Sequence, residues 1–100
     1  MEIIKTLNND ELVITLKGEL NSATAPELED VVKDSLYGIK TLIFEFKELN
    51  YISSAGLRIL LVAQKTLEKN NGRMIVRHPN ESVMDVFEIT GFKNVLEFEN

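Results

Sequence analysis

Residues 41–69 read TLIFEFKELNYISSAGLRILLVAQKTLEK, and this segment predicts a strand followed by a helix. It opens with a dense apolar run, Thr41 to Phe46, which predicts a buried strand. After two serines it continues with leucines at helical spacing, which predict a helix with one apolar face: Leu57, Leu60, Leu61 and Leu67. A buried strand followed by an amphipathic helix is the repeating unit of parallel α/β sheets.

The N-terminal side of this unit predicts a hairpin and a first helix. Ile3 to Leu7 and Leu12 to Leu16 are β-rich runs separated by turn-forming residues, which favours a short antiparallel pair of strands. The strand pattern then breaks in a segment rich in small and polar residues. Pro26 is predicted as the first residue of a helix that Ser22 or Thr24 caps.

The C-terminal side continues the alternation of helices and strands. Residues 70–72 (Asn-Asn-Gly) are predicted to end the second helix, and Arg73 to Val76 form a third interior strand. A short third helix around residues 83–87 is closed by Gly91. Val95 to Phe98 is either a weak terminal strand or a trailing apolar segment.

Strands and helices that alternate with short connections predict an α/β fold made of one domain, residues 1–100. We expect a sheet of four to five mostly parallel strands, with an N-terminal antiparallel hairpin strand and three or more helices covering the sheet. The connections at 21–24 and 51–54 both follow strands. They should therefore lie side by side at the carboxyl edge of the sheet, where function usually concentrates.

The charge and the residue composition of the chain argue against several classes of function. The net charge of −5 opposes binding to nucleic acid or anionic membranes, and no stretch resembles a secretory signal or a membrane span. We therefore expect a cytoplasmic protein. The chain has no cysteine and one histidine, His78, and lacks a phosphate-binding glycine loop and a plausible serine-histidine-acid set, so we expect neither an enzyme nor a metal or cofactor.

The serines at the start of the second helix are the most informative polar residues. Ser53 and Ser54 lie where unpaired backbone N–H groups and the helix dipole stabilise negative charge, so a phosphate there would be favoured. One of them could equally be an ordinary N-cap, which contributes about 1 kcal/mol. Gly56, early in the helix, indicates close approach by another segment of backbone or by a partner.

Three ordered segments resemble the STAS domain family of anti-sigma factor antagonists and sulfate-transporter tails. Residues 51–61 (YISSAGLRILL) resemble the family's phosphorylation-site segment. Residues 18–28 resemble its first loop and helix, and residues 86–92 resemble its last helix and turn. Together the three segments span nearly the whole chain.

The resemblance implies a bacterial anti-sigma factor antagonist that acts by partner switching. Its unphosphorylated form would bind an anti-sigma factor that is also a serine kinase, and so free sigma for transcription. The kinase would phosphorylate Ser54, with Ser53 as second choice, and a phosphoserine phosphatase would reverse this. The residues implied at the partner surface are Asn21, Ser22, Thr24, Ser53, Ser54, Gly56 and Arg58.

Two residues depart from the family pattern, since Ser53 replaces an acidic residue and Asn21 replaces an aspartate. Both departures remove a negative charge. The alternative is therefore an unphosphorylated STAS interaction module of another signalling or transport complex.

Overall fold

The five strands lie side by side in the same order as in the chain. The computed structural model describes residues 1–100. Its elements are β1 (Glu2–Asn8), β2 (Glu11–Leu20), α1 (Ala25–Ser35), β3 (Thr41–Ile52), α2 (Ser54–Lys69), β4 (Arg73–Arg77), α3 (Glu81–Thr90), a short 3-10 helix (Phe92–Asn94) and β5 (Glu97–Glu99).

Strand direction determines where the helices lie. β1 pairs with β2 in antiparallel register, and all later pairs are parallel. Right-handed crossovers that always step to the next strand in the same direction place every helix on the same face of the sheet. The protein therefore has two layers, and the predicted α/β fold is confirmed.

Alternate residues of the strands build the core between these layers. Leu12, Ile14 and Leu16 of β2 and Leu42, Phe44 and Phe46 of β3 are buried against the helices, because side chains alternate between the two faces of a strand. The ring of Phe46 stacks on Phe87 of α3 with 6.5 Å between centroids, and Phe87 contacts Phe98 of β5 at 5.1 Å. Aromatic packing thus fixes the C-terminal third of the chain to the central strand.

The opposite face of the sheet carries no helix and is bordered by charged side chains. Ile43 and Ile75 point to this face, and ion pairs link β4 to β5 beside them, Arg73 to Glu97 and Arg77 to Glu99. The hydrogen bond from Arg73, followed by its charge, lowers the pKa of the Glu97 carboxyl below its ordinary value. They lie beside the parallel register of β4 and β5, in which Ile75 is opposite Glu97 and Arg77 is opposite Glu99.

The strands that lead to the two predicted loops are longer than the sequence pattern indicated. β3 continues from Phe46 to Ile52, and β2 continues to Leu20, where a break was predicted. Register shifts between β2 and β3 near Thr15 and Gly18 explain the difference, since such irregularities interrupt simple alternation without ending the pairing. The connection before α2 is therefore the single residue Ser53.

The ends of the helices also refine the predictions. Ala25 precedes Pro26 in α1, and Thr24 occupies the N-cap position without making a side-chain cap bond. Gly91 has a φ of 81° after α3, as predicted for a left-handed C-terminal position. Of the two alternatives for the end of the chain, the strand is correct.

Candidate functional site

The carboxyl ends of β2 and β3 bring the two predicted connections together. Leu20 pairs with Ile52 at the last position of the parallel register. One residue later, the N–H of Ser53 donates to the carbonyl of Leu20 at 2.9 Å. The connection before α1 and the start of α2 are therefore joined by a direct main-chain hydrogen bond.

Gly56 allows a second contact between the same two segments. The side chain of Leu20 packs directly against the helix at Gly56, where an added Cβ would lie 2.6 Å from Leu20 Cγ and 3.0 Å from Ile52 Cγ1. Separations below 3.0 Å require the neighbouring atoms to move. The glycine is therefore needed for the close approach of α2 to the end of β2.

Asn21 organises the connection before α1. Its Oδ1 accepts hydrogen bonds from the N–H groups of Ala23 and Thr24, both at 3.0 Å. The Thr24 hydroxyl accepts from the N–H of Asn21 at 2.9 Å and donates to the carbonyl of Glu19 at 2.8 Å. These reciprocal bonds fix a short polar turn, and they replace the helix cap that the sequence predicted from Thr24.

The two adjacent serines occupy different environments. Ser53 is the N-cap of α2, and its Oγ accepts a hydrogen bond from the N–H of Gly56 at 3.3 Å. Ser54 is the first helical residue; its side chain is exposed and makes no hydrogen bond within the chain. The hydroxyl of Ser54 is therefore available for reaction, whereas that of Ser53 helps to start the helix.

Arg58 lies one helical turn after Ser54 and is exposed. A shallow depression between α1 and α2 is lined by Arg58 and Ala55 on one side and by Ser22 and Glu29 on the other. The structure thus places all seven predicted residues around this edge of the sheet, with Gly56 buried beneath the surface and Ser54 on it. No cluster of three or more His, Asp or Glu side chains forms a metal site.

Sequence reasoning missed Leu20 and Glu29 as neighbours of this site. Leu20 links the two segments through both its side chain and its carbonyl. Tyr51 follows as a half-exposed aromatic residue at the end of β3. The sequence predicted Tyr51 in the connection before α2, whereas the structure places it in β3. None of the helices is both long and apolar enough to cross a membrane.

These features define a two-layer α/β domain whose polar surface is built on the carboxyl ends of β2 and β3 and the first turn of α2. A family model for the STAS domain matches residues 2–100. The chain belongs to the STAS domain family.

Two bacterial relatives cover most of the chain. BtrV of Bordetella bronchiseptica, whose assignment as an anti-sigma factor antagonist is provisional, is 34% identical over 90 residues, which make up 89% of this chain and 78% of that protein. The anti-sigma-B factor antagonist of Listeria monocytogenes is 27% identical over 100 residues, covering 97% of this chain and 86% of that protein.

The fold is also similar to that of a solved anti-sigma factor antagonist, SpoIIAA. Its unphosphorylated form superposes with a TM-score of 0.79 at 20% identity, covering 99% of this chain and 87% of that one. The phosphorylated form from Bacillus gives a TM-score of 0.78 at 22% identity, covering 99% and 92%. At this level of identity the similarity establishes a common fold.

Proposed function

We propose that this protein is an anti-sigma factor antagonist that is switched by phosphorylation of Ser54. In its unphosphorylated form it binds an anti-sigma factor serine kinase, and the sigma factor is released. Phosphorylation by that kinase ends the binding, and a phosphoserine phosphatase restores it. Curated relatives with this regulatory role and a STAS fold along the whole chain support the general function.

The observation that carries the choice of Ser54 is the difference between the two serine hydroxyls. Ser54 is exposed and has no hydrogen-bond partner within the chain, so a kinase can reach its Oγ without disturbing the fold. Ser53 is partly buried, and its Oγ accepts the Gly56 N–H. Phosphorylation of Ser53 would remove this cap, whereas phosphorylation of Ser54 leaves it in place.

The geometry also explains how Ser53 can replace the acidic residue of the family pattern. A carboxylate and a hydroxyl are both good N-cap acceptors, so either can receive the Gly56 N–H. The same holds for Asn21, because its Oδ1 accepts from two backbone N–H groups and from the Thr24 hydroxyl, and an aspartate oxygen can accept the same bonds. The departures therefore change the charge of the surface while preserving its hydrogen-bonded geometry.

A charge change is an effective switch at this position. A phosphate adds about −1.5 to −2 charges at neutral pH, at a helix N-terminus that stabilises anions. The fold keeps its core because the modified side chain points to solvent. A partner surface that fits the neutral serine and Arg58 would be repelled by the phosphate after modification. Alternatively, it would meet an Arg58 side chain whose position the phosphate has altered.

The experiment that tests this function starts with phosphopeptide mapping of the protein isolated from its own cells. Phosphate on Ser54 is the expected result. The anti-sigma factor kinase recovered from the same cells is then titrated calorimetrically with wild type, Ser54→Asp and Ser54→Ala. We expect Ser54→Asp to weaken binding at least tenfold, and Ser54→Ala, which keeps this position neutral, to retain binding.

Unchanged affinity of Ser54→Asp would contradict the charge switch. If no serine carries phosphate in any growth phase and no sigma regulator is bound, the protein is instead an interaction module of another signalling or transport complex.

A further inference from the structure

Helices α1 and α2 carry opposite charges on their solvent sides. The acids of α1 are Glu27, Glu29, Asp30 and Asp34, accompanied by one base, Lys33. The bases of α2 are Arg58, Lys65 and Lys69, accompanied by one acid, Glu68. All of these side chains are exposed, so an acidic helix lies next to a basic one on the same face of the protein.

None of these charges forms an ion pair within the chain. The five ion pairs of the structure lie in the sheet, at the turn after β4, and between α3 and the segment that follows it. The charged side chains of α1 and α2 are therefore available to a second molecule.

A groove of mixed character runs between the two helices. Its apolar lining is Val32, Leu36, Tyr37 and Val62, and its polar lining is Lys33, Thr66 and Asn70. The side chain of Tyr37 is fully exposed, and that of Val62 is 52% exposed. Exposed aromatic and aliphatic side chains flanked by unpaired charges are typical of a surface that docks against protein.

The opposite charges of the parallel helices α1 and α2 fit a second copy of the same face related by a two-fold axis. Both helices return from the carboxyl edge of the sheet to its amino edge, so they run in the same direction. A two-fold axis parallel to the helices, lying between two such faces, places α1 of one copy over α2 of the other. The contact between an acidic and a basic helix then occurs twice in the dimer, as a self-complementary interface requires.

We propose that the face formed by α1 and α2 is a self-association surface and that its occupant is a second copy of this chain. Asp34 of one copy then lies level with Lys65 of the other, Glu29 lies level with Arg58, and the two Tyr37 side chains cover the grooves. These contacts involve neither Ser54 nor a phosphate.

The size of the surface predicts a weak and salt-sensitive dimer. Helices of 11 and 16 residues present a patch of roughly 400 Å² per copy, about half of what each partner buries in a standard stable complex. Charges at the rim of such an interface are screened by salt. Association is therefore expected at high protein concentration and low ionic strength.

Sedimentation velocity of the full chain tests the proposal by charge reversal and exchange. Wild type should show a sedimentation coefficient that rises with concentration at low salt and no longer rises at about 0.5 M salt, where the Debye length is only a few ångströms. Lys65→Glu/Lys69→Glu and Asp30→Lys/Asp34→Lys should each remain monomeric, since each makes the two helices alike in charge. An equimolar mixture of these two variants should associate again, because the opposite charges then face each other.

The matched control is Lys47→Glu/Lys93→Glu, which changes the net charge as much as the α2 variant but lies outside the face. It should associate like wild type, and circular dichroism checks that every variant is folded. A wild-type protein that stays monomeric at millimolar concentration and low salt overturns the proposal. So does a mixture of the two reversed variants that fails to associate.

Discussion

Leu20 packs against the backbone of α2 at Gly56, with only enough room for a hydrogen atom between them. This contact joins the end of β2 to the first turn of the helix that carries Ser54. The main-chain bond from Ser53 to the Leu20 carbonyl reinforces it at 2.9 Å. The two segments of the proposed partner surface therefore have a fixed relative position.

Gly56→Ala should destabilise the protein by about 1–3 kcal/mol, because the added methyl group overpacks the contact with Leu20. Chemical denaturation measures this loss. Leu20→Ala alone should cost roughly 2–5 kcal/mol, since Leu20 is fully buried. In the double variant the smaller residue makes room for the methyl group, so the combined loss should be less than the sum. Strict additivity would mean that the two residues do not share this contact.

Ser53→Ala should lower the free energy of unfolding by about 1 kcal/mol, because α2 loses its side-chain cap. Ser54→Ala should change it by less than about 0.5 kcal/mol, since the Ser54 hydroxyl has no partner within the chain. Urea titrations of the two variants provide matched controls for each other. If Ser54→Ala lost more stability than Ser53→Ala, then Ser54, and not Ser53, would be the residue that caps α2.

Asn21→Ala should destabilise the turn before α1, because the N–H groups of Ala23 and Thr24 both lose their acceptor. The expected cost is about 1–2 kcal/mol. Asn21→Asp keeps both bonds and places a negative charge just before the N-terminus of α1, so its stability should equal or exceed that of wild type. An Asp variant as unstable as the Ala variant would indicate that the amide group makes an additional required bond.

Glu97 should make the stability of the protein depend on pH in the acidic range. Its pKa in the folded state lies below the ordinary 4.5, because of its hydrogen bond with Arg73 and then the charge of Arg73. A lowered folded pKa means that the pair stabilises the protein above pH 4.5, and that this contribution is lost as the pH falls through the folded value.

Melting temperatures of wild type and Glu97→Gln between pH 2 and pH 7 test this dependence. Wild type should exceed the variant at neutral pH, and the difference should shrink towards the acid end. The difference at neutral pH should be small, since both side chains are largely exposed. A difference that stays constant with pH would contradict ionic pairing.

Local sequence signals predicted much of the fold because the responsible forces are local. The leucine spacing of α2, the left-handed position of Gly91 and the turn residues between β1 and β2 all act within a few neighbouring residues. The family resemblance added the choice of Ser54 as the phosphorylated residue. Family membership and the α/β fold are confirmed, while phosphorylation remains a prediction.

The sequence failed where distant segments decide the structure. The polar residues between Phe46 and Ile52 resemble a loop, yet they remain in β3 because β2 continues beside them through two register shifts. Gly56 indicated a close approach, but it could not identify Leu20 as the neighbour. Ser53 and Ser54 looked equivalent until the start of the helix placed one in the cap and the other in solvent.

The strand order of the sheet also has a consequence for folding kinetics. Since every strand pairs with its immediate predecessor in the chain, the loops that must close are short, and contact order is low for a protein with a parallel sheet. The sheet can grow from β2 and β3 in one direction, with β5 added last. In native-state hydrogen exchange, the amides of β5 should therefore open before those of the central strands.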